Sequence, residues 1–92
     1  LMMMNSPVVR TYAEGFANRI ARTAPADQPE RQIQQAYLSA FGRLPADAEM
    51  KEGLEFLKEQ QDFYRAEKKP ESAALADLCQ ALFSLNEFVF LD

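Results

Sequence analysis

Two sets of side chains in this sequence have a type and spacing that could do chemistry: the lone Cys79, and the carboxylates Glu49, Glu52, Glu55 and Glu59. A nucleophilic cysteine needs a base or a cation beside it to hold its thiolate. At helical spacing Cys79 instead has Leu75, Leu78, Leu82 and Phe83 for neighbours, so it reads as a buried structural thiol. The four glutamates fall on or near one helix face, where carboxylates can hold a cation or share acid-base work. Lys51 and Lys58 are interleaved with them, and the expected reading is a solvated face laced with i,i+3 and i,i+4 ion pairs. Asp27 and Glu30 stand where a helix begins and read as capping groups. The sequence has no histidine, which removes the commonest general acid-base and the commonest ligand for zinc, copper and haem. It also lacks a glycine-rich phosphate loop, a CxxC pair and a CxxCH haem attachment. No catalytic residue, metal ligand or cofactor site is predicted, and the chain is not expected to be an enzyme.

What remains is a candidate interaction surface at the two ends. Met2, Met3 and Met4 precede the first helix, and methionine adapts well to partners of varied shape. These residues, with the apolar Leu1, also read as the stub of a helix cut by the start of the chain. At the other end, Phe88 and Phe90 lie in an apolar tail that a free monomer would hardly leave in water. That tail is expected to pack back on the bundle.

Helices must position these residues. Phe, Leu, Met and Ala supply most of the apolar content, β-branched residues are few, and only three Gly and five Pro punctuate the chain. Ser6 can cap a first helix with Pro7 at its first position, and Val9, Tyr12, Ala13, Phe16 and Ile20 then form an apolar stripe up to about Arg22. Asp27, Pro29 and Glu30 announce a second helix, carried by Ile33, Ala36, Tyr37, Ala40 and Phe41 and closed by Gly42. Tyr12, Tyr37 and Phe41 are spaced for a core rather than for a ligand pocket. After Arg43-Leu44-Pro45, Asp47 and Glu49 put negative charge at the start of a third helix, buried through Met50, Leu54 and Leu57, with Phe56, Phe63 and Tyr64 as further candidates. Gly53 within it suits close approach by a neighbouring helix. Residues 59–69 are charge-rich and expected to be solvated and frayed. Beyond Pro70 a fourth helix buries Leu75, Leu78, Cys79 and Leu82, and Ser84 with Glu87 suggests a break and a new short turn. The expected fold is all-α: a small bundle of four helices with short connections, neighbours running roughly antiparallel, and residues 1–92 forming one helical domain.

Ten basic residues against fourteen acidic give a net charge of −4, and the basic ones are scattered, so nucleic acid is not an expected partner. Anionic membrane is disfavoured for the same reason, and no apolar run approaches the roughly 18 residues that span a bilayer. A single cysteine excludes an intramolecular disulfide, so the fold must stand on packing.

Three segments in order resemble the C-terminal part of a family of unknown function that is abundant in planctomycetes. They are Met4-Asn5-Ser6-Pro7-Val8-Val9, then Tyr37-Leu38 with Phe41-Gly42-Arg43-Leu44-Pro45, and finally residues 75–92. The last is the most specific. The family pattern there is close to DLCxALLNSNEFLYVD, matched at Asp77, Leu78, Cys79, Ala81, Leu82, Asn86, Glu87, Phe88 and Asp92, with Ser84-Leu85 standing where Asn-Ser is usual and Phe90-Leu91 where Tyr-Val is usual. The resemblance implies a C-terminal fragment of a longer protein in which cytochrome-c-like segments lie nearer the N-terminus, and with it an extracytoplasmic, periplasmic or surface-associated setting. It supplies no catalytic residue. The leading expectation is a non-catalytic packing or interaction module held against the upstream part of its own chain or a protein partner. Two alternatives are a helical wall of an active site, with Asp77, Asn86 or Glu87 facing an upstream site, and a module that binds carbohydrate or another surface polymer.

Overall fold

The computed structural model describes residue 1 and residues 6–90, with side chains described up to residue 85. It contains four helices, α1 (Pro7–Thr23), α2 (Pro29–Phe41), α3 (Asp47–Ala66) and α4 (Ala73–Phe90), and no strand among the described residues. The all-α bundle expected from the sequence is the fold. Each start has a local cause. Ser6 accepts a hydrogen bond from the Val9 amide at 3.3 Å, and Pro7 fills the first position of α1, where no N–H is needed. α2 also opens on a proline, but its N-cap is Gln28 and no side chain caps it, so Asp27 does not play the part expected of it. At α3 the Glu49 carboxylate turns back to accept the Ala46 amide at 2.9 Å.

The ends of α2 and α3 are closed by left-handed residues. Gly42, at φ 69°, ends α2 with its amide donating to the Leu38 carbonyl. Lys68, at φ 56°, ends α3, with the Lys69 amide donating to the Tyr64 carbonyl and the Lys68 amide to that of Arg65. This pair of hydrogen bonds closes the last turn of α3 without the glycine usual in such motifs. The charge-rich stretch therefore stays helical through Ala66 rather than fraying, held further by Arg65, which donates to Glu71 at 2.9 Å across the turn.

α4 is the central element, packing against each of the other three helices. Every residue from 74 to 82 is buried, not one face alone. A helix enclosed by three neighbours has no solvent side, and Ala74, Ala76 and Ala81 let those neighbours approach. Nor does the helix break at Ser84. Its hydroxyl donates to the Gln80 carbonyl at 2.7 Å, a bond to the preceding turn that leaves the helix continuous, and α4 runs on to Phe90.

The remaining core comes from Ala13, Ala17 and Ile20 of α1 and Ile33, Ala36 and Tyr37 of α2, with Leu57 fully buried on α3. Tyr12 departs from the expected stripe and stands 64% exposed, and Ala17 takes the inward place. Phe63 is likewise outward, at 53%. Gly53 does mark a close approach, since a Cβ there would stand 3.2 Å from Cγ2 of Ile33. The α1–α2 connection is anchored by buried Gln32, whose amide donates to the Ala24 carbonyl at 2.9 Å.

Candidate functional site

The strongest concentration of polar chemistry lies where α1, α3 and α4 meet. α4 carries Asp77 and Gln80 one turn apart in an otherwise apolar stretch, and Asp77 is 2% exposed. Both of its oxygens are engaged. Oδ1 accepts from Nη1 of Arg10 on α1 at 2.7 Å, and Oδ2 accepts from Nε2 of Gln60 on α3 at 2.7 Å. The same Arg10 nitrogen also donates to Oε1 of Gln80 at 3.0 Å, while its Nε stands 3.7 Å from Glu14. Burial works against the Arg10 charge, but pairing with Asp77 outweighs it and Arg10 is held above its ordinary range. The Tyr64 phenol is pushed up by its burial first and by Asp77 second. The arrangement is an acceptor hub for donors from two other helices, and at 2% exposure the carboxylate is turned into the bundle. No buried side-chain polar atom among the described residues lacks a partner.

Beside this hub, a cleft of about 450 Å³ lies between α1, the α1–α2 connection and the start of α4, lined by Ala17, Asn18, Ala21, Pro25, Gln61 and Leu75, among others. A smaller hollow of about 260 Å³ continues it past Asn18 and Ser72 toward Arg10 and Glu14. The larger volume is within the range of small-molecule pockets. Its walls are mainly small and apolar, and the one carboxylate lining it, Glu71, is paired with Arg65.

Cys79 is 1% exposed, and burial pushes its thiol up to about 12, so it is the structural thiol expected. The four glutamates of α3 separate. Glu49 pairs with Arg43 through two hydrogen bonds of 2.7 and 2.9 Å, and Arg43 first, then the Ala46 amide, lower its carboxyl to about 2. The Arg43 guanidinium also lies 5.5 Å from the Phe41 ring centre and 5.7 Å from that of Tyr37. Glu52, Glu55 and Glu59 are exposed, and the ion pairs expected for them with Lys51 and Lys58 do not form; Lys58 reaches Asp62 instead, at 3.8 Å. Exposed pairs gain too little to hold long side chains in one geometry. No group of three potential metal ligands occurs among the described residues. Met2, Met3 and Met4 lie outside the described residues, as do the side chains of Asn86, Glu87, Phe88 and Phe90. Asp77 points into the bundle, toward Arg10 and Gln60.

Arg10 and Gln60 are participants that the sequence does not reveal. The periodicity of α1 assigns Arg10 to the solvent side, and 67 residues separate it from Asp77. The legible signal is the pair Asp77 and Gln80 at i,i+3 inside an apolar helix, which must find partners when buried.

A four-helix bundle whose central helix carries a buried polar hub is the kind of domain that fold and site define. Residues 1–57 match the family model described as PSD1, protein of unknown function (DUF1553), and the chain belongs to that family. The matched stretch takes in α1, α2 and the first half of α3. No curated protein and no solved structure matches the chain.

Proposed function

We propose that the chain is a non-catalytic helical packing module of a larger extracytoplasmic protein, held against the upstream part of that protein or against a partner. The observation that carries this reading is how its polar chemistry is spent. The buried carboxylate of Asp77 joins three helices, the buried thiol of Cys79 is held protonated, and Glu49 closes a helix start. The extracytoplasmic setting, beside cytochrome-c-like segments, rests on the resemblance of residues 4–9, 37–45 and 75–92, taken together, to the planctomycete family. Met2, Met3, Met4, Phe88 and Phe90 are the proposed contact residues.

The test is a titration of this chain with the upstream part of its own protein, followed by calorimetry. A saturable complex, weakened when Met3 and Phe88 are changed to Ser, is expected. Absence of any complex, together with loss of turnover in a full-length protein carrying Asn86→Ala and Glu87→Ala, would favour the active-site wall instead. The cleft of about 450 Å³ favours a second reading, recognition of a surface polymer or carbohydrate, which a glycan array would register as binding abolished by Asn18→Trp.

A further inference from the structure

α1 and α3 each turn an exposed stripe away from the core, and the two stripes match. On α1, Val8, Tyr12, Gly15, Arg19 and Arg22 recur every three or four residues and all are exposed, Val8 at 65%. Nothing lies within 4 Å of where a Cβ on Gly15 would stand. Glycine in a helix interior is unfavourable, and nothing among the described residues requires it there. Arg19 lies over the Phe16 ring at 5.0 Å, and neither Arg19 nor Arg22 pairs with a carboxylate among the described residues. The stripe carries no acidic residue, although the chain has fourteen.

The α3 stripe has the opposite chemistry. Glu52, Glu55, Glu59 and Phe63 share one exposed face. Three like charges at this spacing repel one another. Glu55 and Glu59 pair with no cation among the described residues, and Glu52 meets only the amino group of Leu1, at 3.6 Å. Laid antiparallel, the two stripes fall into register. Phe63 meets Val8 and Tyr12, Glu59 comes opposite the bare backbone at Gly15, and Glu55 and Glu52 come opposite Arg19 and Arg22. At a rise of 1.5 Å per residue, the distance along the helix from Tyr12 to Arg22 is about 15 Å and that from Phe63 back to Glu52 about 16.5 Å.

We propose that a second copy of this chain docks its α3 stripe antiparallel across the α1 stripe. α1 and α3 pack on α4 rather than on each other, so the two stripes are separate surfaces and every copy offers one of each. The contact is heterologous, and association continues head to tail unless the rotation closes a ring. A single helix-on-helix contact is small beside the roughly 1,600 Å² of a stable interface, so the association is weak, concentration-dependent and weakened by salt.

Sedimentation of the chain over a range of concentrations tests this. The average mass is expected to rise above that of one chain, and to fall back as salt is added. Arg19→Glu with Arg22→Glu is expected to weaken association about tenfold or more, since two attractive pairs become repulsive. Adding Glu52→Arg and Glu55→Arg to that variant makes the stripes complementary again, and association returns. Circular dichroism checks that each variant is folded; should the reversals disturb the fold, Arg19→Gln with Arg22→Gln carries the same test, with a smaller loss. A single-chain mass at every concentration overturns the proposal. So does an association that the arginine variants leave unchanged, or one that the four reversals together fail to restore.

Discussion

At the scale of single residues, Asp77 and Cys79 are both buried on α4, yet burial has opposite consequences for them. Asp77 arrives with partners on two other helices, and removing it leaves the Gln60 amide without its acceptor and the Arg10 guanidinium with only Gln80 and the more distant Glu14. Asp77→Ala is expected to cost about 2 kcal/mol in urea unfolding, less than the 3–5 typical of a broken buried pair because Arg10 keeps partial access to water. Adding Arg10→Met should recover part of that loss, since no unpaired charge is left. Cys79 needs no partner because it remains a neutral thiol. With its pKa pushed up to about 12, it should resist maleimide labelling in the native state at neutral pH and react fully in denaturant. Rapid native labelling would contradict the burial described above.

The helices hold together through local devices of different kinds. Gly53 is a packing device. A methyl group there would meet Ile33 at 3.2 and 3.3 Å, and Ile33 is itself fully buried with nowhere to retreat. Gly53→Ala should therefore destabilise by about 1 kcal/mol despite its better helix propensity, and Ile33→Val in the same chain should restore part of this; a stabilised Gly53→Ala would show that α2 can shift. Glu49 is an electrostatic device at the start of α3. Its carboxyl is lowered from 4.5 to about 2 in the fold, so its stabilisation is complete above about 4.5 and is lost as the pH falls toward about 2. Unfolding followed through that window should show a decline that Glu49→Gln makes shallower. An unchanged acid limb would mean that the bond to Arg43 is not kept in solution.

At the scale of the molecule, α4 ties the other helices into one cooperative unit. The Cα radius of gyration is 12.2 Å, close to the roughly 12 Å expected of a compact chain of this length. Leu78 is fully buried on α4, and Leu78→Ala is expected to cost about 3 kcal/mol. Helical circular dichroism and the near-ultraviolet signal of buried Tyr37 should be lost together in that variant. Separate transitions would show α2 and α3 standing apart from α4.

The sequence by itself determined what depends on near neighbours along the chain. Ser6 with Pro7, Pro29, Gly42 after Phe41, and apolar residues every three or four positions fix the starts, one stop and most of the inward faces of α1 and α2, Tyr12 excepted, because a helix is built from contacts within a few residues. The protonated, structural character of Cys79 was legible for the same reason, its neighbours at helical spacing being leucines. Only the tertiary structure decided what depends on encounters across the chain. Asp77 and Gln80 signalled a buried polar pair, but Arg10 and Gln60 emerged as their partners only once three helices were packed. Burial of α4 on all sides followed from its enclosure, which periodicity does not encode. The closure of α3 at Lys68 and the continuity of α4 past Ser84 were hidden by residues whose local preferences point elsewhere, a lysine in place of glycine and a serine that bonds backward instead of capping. Local pattern gives a helix its extent and its stripe, whereas the identity of what covers that stripe is set by the whole chain folding at once.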